Sequence, residues 1–342
     1  MAAERFQSHL AAAHTVGEAL DGVARRIQSL APRRFETKYG FALEPLMAQA
    51  REEFGTACGL RFETPKEFLF SLAEEAARSE IGRFLLCARG LNWRITDLLF
   101  DADYHATLRQ EEREGMLCLF DKLAFFTFPL FLATQERASL HQRHIQPSLR
   151  DGAVLASLPC GRMRDLLTLD GAHLTGGARL VGIDKDPEAL KGAQAFADLL
   201  SALCPLRGTI EFREGDALTP GFSRPPVHEE FDLLTSSGLN IYLTDEQCEA
   251  FYRHVHDALK PGGTFVTGHI LPHGEYAWER INRWHWQLQA VVFTVLIGAL
   301  WESCVKPRDA VRAQLEAAGF SQIRIVPDSQ GIFPTFVAQK SR

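Results

Sequence analysis

The side chains best placed to do chemistry are two carboxylates that close successive apolar runs. Asp184 ends "RLVGID", 23 residues after Gly161 in "LASLPCG". A carboxylate there can accept hydrogen bonds from both hydroxyls of a ribose, which is why nucleotide sites place an acid about 20 residues past the first turn. Asp216 follows "TIEFREGD", where, beside the backbone of Ala217, it could recognise an adenine amino group. The run "FDLLTSSGLNIYL" then brings Ser236, Ser237, Gly238, Asn240 and Tyr242 to the end of a fourth strand. An aromatic face such as that of Tyr242 attracts a cation. His269 and His273 flank the end of a fifth run, with Glu275, Tyr276 and Trp278 beyond; a pKa near neutrality would let His269 take a proton from a hydroxyl or an amine. His254 and His256 lie on the polar face of a helix and read as solvated rather than as a metal pair. No metal site is expected.

These residues need a scaffold that puts strand ends side by side. Residues 1–147 show helical periodicity and almost no alternation. Thr64, Pro65 and Glu67 form a helix start with a capping box, and Ile81, Phe84, Leu85, Ala88, Ile95, Leu98 and Leu99 recur at helical spacing. Pro129 ends or kinks a further helix. After Pro147, short apolar runs at 153–158, 179–183, 209–213, 231–236 and 263–268 alternate with helical segments, the pattern of a parallel sheet built from βαβ units. Thr244 and Gln247 cap one of those helices; another stops at Gly319, and "SQIRIV" and "FPTFVAQ" finish the sheet. The expected organisation is an all-α domain over 1–147 and an α/β domain over 148–342. In such sheets ligands bind beyond the carboxyl ends of the strands, where the strand order reverses.

Composition narrows the partners. The 342 residues are 46% hydrophobic and 23% charged, which suits a globular chain with a sizeable core, and the net charge is −6. No basic run suggests a nucleic-acid partner. Seven cysteines without paired spacing point to reduced thiols and a cytoplasmic location. The first residues lack the unbroken apolar stretch of a signal peptide. The apolar runs 123–133 and 288–301 fall short of the roughly 18–20 residues that cross a bilayer, so both are expected to be buried helices and no membrane partner is expected.

Taken together, the series "VLASLPCG", "LVGIDKDPEAL", "EFREGDAL", "FDLLTSSGLN" and "LKPGGTFVT" resembles the motif order of the class I S-adenosylmethionine-dependent methyltransferases over residues 150–342. The resemblance implies a seven-stranded doubly wound sheet of order 3-2-1-4-5-7-6 with the last strand antiparallel. It implies S-adenosylmethionine as cofactor, held by Ser157, Pro159, Cys160, Gly161, Asp184, Lys185, Asp216, Ala217, Ser236 and Ser237, with Asn240, Tyr242 and His269 as catalytic candidates. The first loop departs from the family's acid followed by Gly-x-Gly-x-Gly: Ser157 replaces the acid, Pro159 the first glycine and Met163 the third. Family acids at the Ser157 position help anchor the cofactor's amino group, so the amino-acid tail must be handled differently; Arg162 or Arg164 could reach its carboxylate. The eroded loop argues against a dinucleotide, whose pyrophosphate needs the glycines.

Three functions fit that resemblance. The first is methyl transfer to a small molecule, as in natural-product biosynthesis, beneath a helical N-terminal domain that caps the site or forms a homodimer. The second is cyclisation of S-adenosylmethionine to azetidine-2-carboxylate and methylthioadenosine, since azetidine-2-carboxylate synthases are similar in overall plan. The third is a non-catalytic binding protein. The stretch "WERINRWHWQLQAVVFTVLIGALW", with Trp278, Trp284, Trp286 and Trp301, reads as a lid or dimer helix, or as an aromatic wall for the substrate.

Overall fold

The computed structural model describes residues 15–30, 36, 41–55, 62–170, 177–203, 208–222, 227–299 and 304–342. Seven short runs rich in aliphatic and aromatic residues pair into one sheet: β1 (Val154–Ser157), β2 (Arg179–Asp184), β3 (Thr209–Glu214), β4 (Phe231–Ser236), β5 (Leu259–Gly268), β6 (Phe320–Val326) and β7 (Thr335–Lys340). Their order is β3-β2-β1-β4-β5-β7-β6. The first five are parallel, and β7 runs antiparallel to both β5 and β6. Fold class and strand order are those the motif series implied. The central strands are apolar on both faces, with Leu155, Ala156, Val181, Leu233 and Leu234 all buried, as a sheet covered by helices on both sides requires.

Register aligns the functional rim. Ser157 pairs with Gly182 on one side and Thr235 on the other, Asp184 pairs with Glu214, and Ser236 pairs with Thr267. The chain winds outward from β1 to β3 and then returns to β4, so the order reverses between β1 and β4, where an open sheet leaves a crevice for ligands.

The described residues fall into two units. One comprises the described residues up to Leu132 and those of 278–299; the other comprises the described residues of Ala133–Ala277 and 304–342. This partition differs from a single boundary near 147: the tail of one long helix joins the sheet unit, and a segment from the second half of the chain joins the helical unit. The helical unit holds α1 (Val16–Gln28), α2 (Leu43–Ala50), α3 (Pro65–Arg78), α4 (Glu80–Ala88), α5 (Trp93–Phe100), α6 (Ala102–Arg113) and α7 (Leu119–Phe126). Helix α3 starts on the expected box, with Thr64 Oγ accepting from the Glu67 N–H and the Glu67 side chain accepting from the Thr64 N–H. Helices α3 and α4 approach so closely that a Cβ on Gly82 would lie 2.2 Å from the Ala76 carbonyl oxygen.

The apolar run 288–301 continues from the helix Arg283–Val291 into the wider turn Val292–Ile297, and its described apolar residues through Ile297 are buried. The last carbonyls of that turn have no helical partner. Arg26 donates to Val295 O at 2.8 Å and also to Leu296 O, while Arg89 donates to Gly298 O at 3.1 Å. Cations also suit the negative end of a helix. Trp284 and Trp286 are core residues of this unit, and Trp278 stacks edge-on against Trp286; Trp301 lies outside the described residues.

Helix α8 (Pro129–Ile145) restarts at the proline after α7, and the sheet unit then adds α9 (Arg164–Leu167), α10 (Pro187–Leu203), α11 (Asp245–Ala258) and α12 (Arg308–Ala317). The Thr244–Gln247 box starts α11, which buries Cys248, Phe251, Tyr252, Val255 and Ala258. Gly319, at φ +98°, follows the end of α12 as expected.

Candidate functional site

The eroded first loop is stitched to its neighbours by its own backbone. Leu158 N–H donates to Thr235 O on β4 at 2.9 Å, Cys160 N–H to Ile183 O on β2 at 2.9 Å, and Gly161 N–H to the Asp184 carboxylate at 3.0 Å. Gly161 has φ +52° and Met163 φ +57°. Met163, standing where the family has a glycine, is fully buried. Its space comes from the facing strand: a Cβ on Gly182 would lie 3.0 Å from the Met163 sulfur and 2.8 Å from the Phe212 ring. The glycine missing from the loop is matched by one on β2.

Asp184 is 6% exposed. One carboxylate oxygen accepts from Gly161 N–H and the other from Asp186 N–H, both at 3.0 Å. Burial raises its pKa against those two bonds. Lys185 reaches Asp216 at 3.7 Å, and Asp216 also accepts from Leu218 N–H at 3.0 Å. The fold therefore brings Gly161 to Asp184 and Lys185 to Asp216. His254 is half-buried rather than freely solvated, with Nδ1 3.3 Å from Ala217 O, so it braces the loop after β3. His256 is also half-buried, edge-on to Phe320. Among the described residues no group of three His, Cys, Asp or Glu side chains could hold a metal ion.

The structure adds an acid that sequence reasoning missed. Ser157 Oγ donates to the Asp165 carboxylate at 2.9 Å, and Leu166 N–H donates to its other oxygen at 3.1 Å. Asp165 is 8% exposed, and desolvation pushes its pKa up to about 6 against those bonds. The carboxylate absent from position 157 is thus delivered to the same place from α9. Its signal was the acid in "RMRDLL", one turn past the loop. The arginines of that stretch lie over an aromatic ring instead: the guanidinium carbons of Arg162 and Arg164 sit 5.4 and 4.4 Å from the Phe196 centroid. Cys160 is buried, and desolvation raises its pKa, so it stays a thiol.

At the end of β4, Ser236 and Asn240 are fully buried. Asn240 Nδ2 donates to Tyr252 Oη at 3.0 Å, and Thr267 Oγ1 donates to Ser236 O at 3.1 Å. Tyr242 is half-buried and close enough to Arg137 to offset part of the effect of that guanidinium's burial, which brings the Arg137 pKa down to about 9. His269 does not have the near-neutral pKa expected of it. It is fully enclosed, and desolvation followed by the nearby Lys306 ammonium lowers its pKa to about 3. Lys306 is itself fixed to Leu243 O at 3.1 Å and Cys248 Sγ at 3.3 Å. Glu275 accepts from the Arg308 N–H at 3.1 and 3.2 Å and so braces the start of α12.

Residues 157–263 match the family described as "Methyltransferase domain". A crystal structure of a possible exported protein from Bordetella parapertussis is 34% identical, with a TM-score of 0.70 over 92% of this chain and 100% of that one. Residues 157–263 thus form a methyltransferase domain, set in a seven-stranded sheet of order β3-β2-β1-β4-β5-β7-β6. Two more distant structures also match. Magnesium protoporphyrin IX methyltransferase from Synechocystis is 14% identical, with a TM-score of 0.45 over 72% of this chain and 98% of that one. Human N-acetylserotonin methyltransferase is 16% identical, with a TM-score of 0.42 over 76% and 70%. No curated protein matches the chain. S-adenosylmethionine is this chain's cofactor. The site fits it: buried carboxylates suit a ligand rich in hydroxyl and amino donors, and Asp165 in particular sits in a dry place that a positive charge would relieve. No described helix is long and apolar enough to cross a membrane.

Proposed function

We propose that the protein transfers a methyl group from S-adenosylmethionine to a small-molecule acceptor. The observation that supports this best is the placement of three acids after three adjacent strands: Asp165 beyond β1, Asp184 at the end of β2 and Asp216 beyond β3. In this reading Asp165, oriented by Ser157, holds the cofactor's amino group, Asp184 the ribose, and Asp216 with Ala217 the adenine. The loop Pro159–Gly161 underlies the methionine portion, and Ser236 and Ser237 form the floor. The bound cofactor supplies an activated methyl on a sulfonium. The protein's part is to orient the two reactants and exclude water, which alone can account for a large share of the acceleration. A net charge of −6 without a basic tract favours a small acceptor over a nucleic acid. The five described free cysteines support a reducing compartment such as the cytoplasm.

Incubation of pure protein with S-adenosylmethionine, followed by mass spectrometry, tests the reading. S-adenosylhomocysteine that forms only when candidate acceptors are added supports it. Methylthioadenosine formed without an acceptor replaces it with the cyclisation to azetidine-2-carboxylate. Binding without any product leaves a non-catalytic protein.

A further inference from the structure

The end of β4 carries a concentration of polar atoms that the described residues leave unsatisfied. Ser236 Oγ and Asn240 Oδ1 are buried without a hydrogen-bond partner among the described residues, and so is Nε2 of His141 on α8. Each such group forfeits its hydration if nothing meets it, and native folds keep few of them. Two within five residues of β4's end, and a third on the side chain resting against it, mark a place where a polar ligand completes the structure.

His141 is the member of this group that can do chemistry. It is 1% exposed, and its Nδ1 lies 3.1 Å from Ser237 Oγ. That contact orients the ring and leaves the other nitrogen buried and without a partner among the described residues, near the carboxyl end of the strand, where ligands of this fold bind. One turn earlier on α8, Arg137 is buried against the same rim: a Cβ on Gly238 would lie 3.5 Å from its guanidinium, and one on Gly268 would lie 3.0 Å from its Cδ. Arg137 also stacks at 3.9 Å over Phe333. Burial, then Arg137 and His144, lower the His141 pKa well below its usual value, so the ring stays neutral. A neutral acceptor nitrogen calls for a donor, and a buried guanidinium nearby disfavours a cationic one. A neutral hydroxyl is a donor that satisfies both conditions.

We propose that His141 is a catalytic residue that receives the nucleophilic hydroxyl of the methyl acceptor on Nε2, with Nδ1–H donating to Ser237. The acceptor oxygen forms its new bond to the methyl carbon while the carbon–sulfur bond breaks and its electron pair stays on sulfur. The hydroxyl proton passes to Nε2, giving imidazolium, and Arg137 favours its release to solvent as products leave. The sum is alcohol or phenol plus sulfonium giving methyl ether, thioether and one proton. A weak base suffices, because the oxygen becomes strongly acidic only as the methyl arrives. This assignment rests on the methyltransferase reading.

The test is nuclear magnetic resonance on protein carrying ¹⁵N-histidine and saturated with S-adenosylhomocysteine, with His141→Gln identifying the resonance. Expected are the tautomer protonated on Nδ1 and a shift of the Nε2 resonance on titration with phenol but not with benzylammonium. A ring protonated on Nε2, no response to phenol, or an equal response to benzylammonium overturns the proposal. Calorimetry with S-adenosylmethionine runs alongside. His141→Gln should bind it within about twofold of the parent, and more than tenfold weaker binding would make His141 a cofactor residue instead. Failure of the parent protein to bind would count against the methyltransferase reading rather than against His141.

Discussion

Replacing Asp165 with Asn should stabilise the protein and weaken cofactor binding at once. Burial lifts this carboxyl from 3.8 to about 6, a shift of about two units worth roughly 3 kcal/mol at most. The native state holds the proton more tightly than the unfolded chain does. The parent is therefore most stable, on this account, below the unfolded pKa near 4, and it loses stability as pH rises through about 6. Asp165→Asn keeps an oxygen for Ser157 Oγ, now 2.9 Å from the carboxylate, and does not ionise. The variant's advantage should be near zero at pH 4 and reach about 1–3 kcal/mol at pH 8, a rise of a few degrees in Tm. Binding should move the other way, because a charge-assisted hydrogen bond to the cofactor's ammonium is lost, with affinity falling about 10- to 100-fold. Thermal melts of unliganded protein at both pH values and calorimetry with S-adenosylmethionine read the two effects. An identical Tm difference at pH 4 and pH 8, or unchanged affinity, would refute the placement of this acid.

Asp184→Ala removes the acceptor of both Gly161 N–H and Asp186 N–H, so binding of S-adenosylhomocysteine should weaken at least 30-fold; calorimetry within threefold of the parent would count against the ribose assignment. Gly82→Ala drives a methyl into the Ala76 carbonyl and should cost about 2 kcal/mol or more, seen as a lower denaturation midpoint with cofactor affinity intact.

The parts of the fold that were legible in sequence are those set by local chemistry. Caps at Thr64 and Thr244, the restart at Pro129 and the stop at Gly319 act within one turn. Apolar runs announced all seven strands, and Asp184 and Asp216 followed from their position at strand ends. Contacts that cross the fold were not legible. Asp165 meets Ser157 only because α9 folds back over β1, and His141 meets Ser237 across 96 residues. Met163 looked like damage to a glycine loop until Gly182, on the neighbouring strand, supplied the missing space. The lowered pKa of His269, set first by burial and then by the Lys306 charge, likewise depends on a residue brought in from a distant stretch of chain.

The pairing of Arg26 with carbonyls near residue 296 bears on how the protein is made. The donor leaves the ribosome 270 residues ahead of Leu296, an interval of roughly 15 to 50 seconds at ordinary elongation rates. Throughout that wait the leading helices lack the late segment that completes their core, and their apolar faces need temporary shelter. A fragment ending near residue 147 would never receive that segment, and should aggregate where the full chain does not.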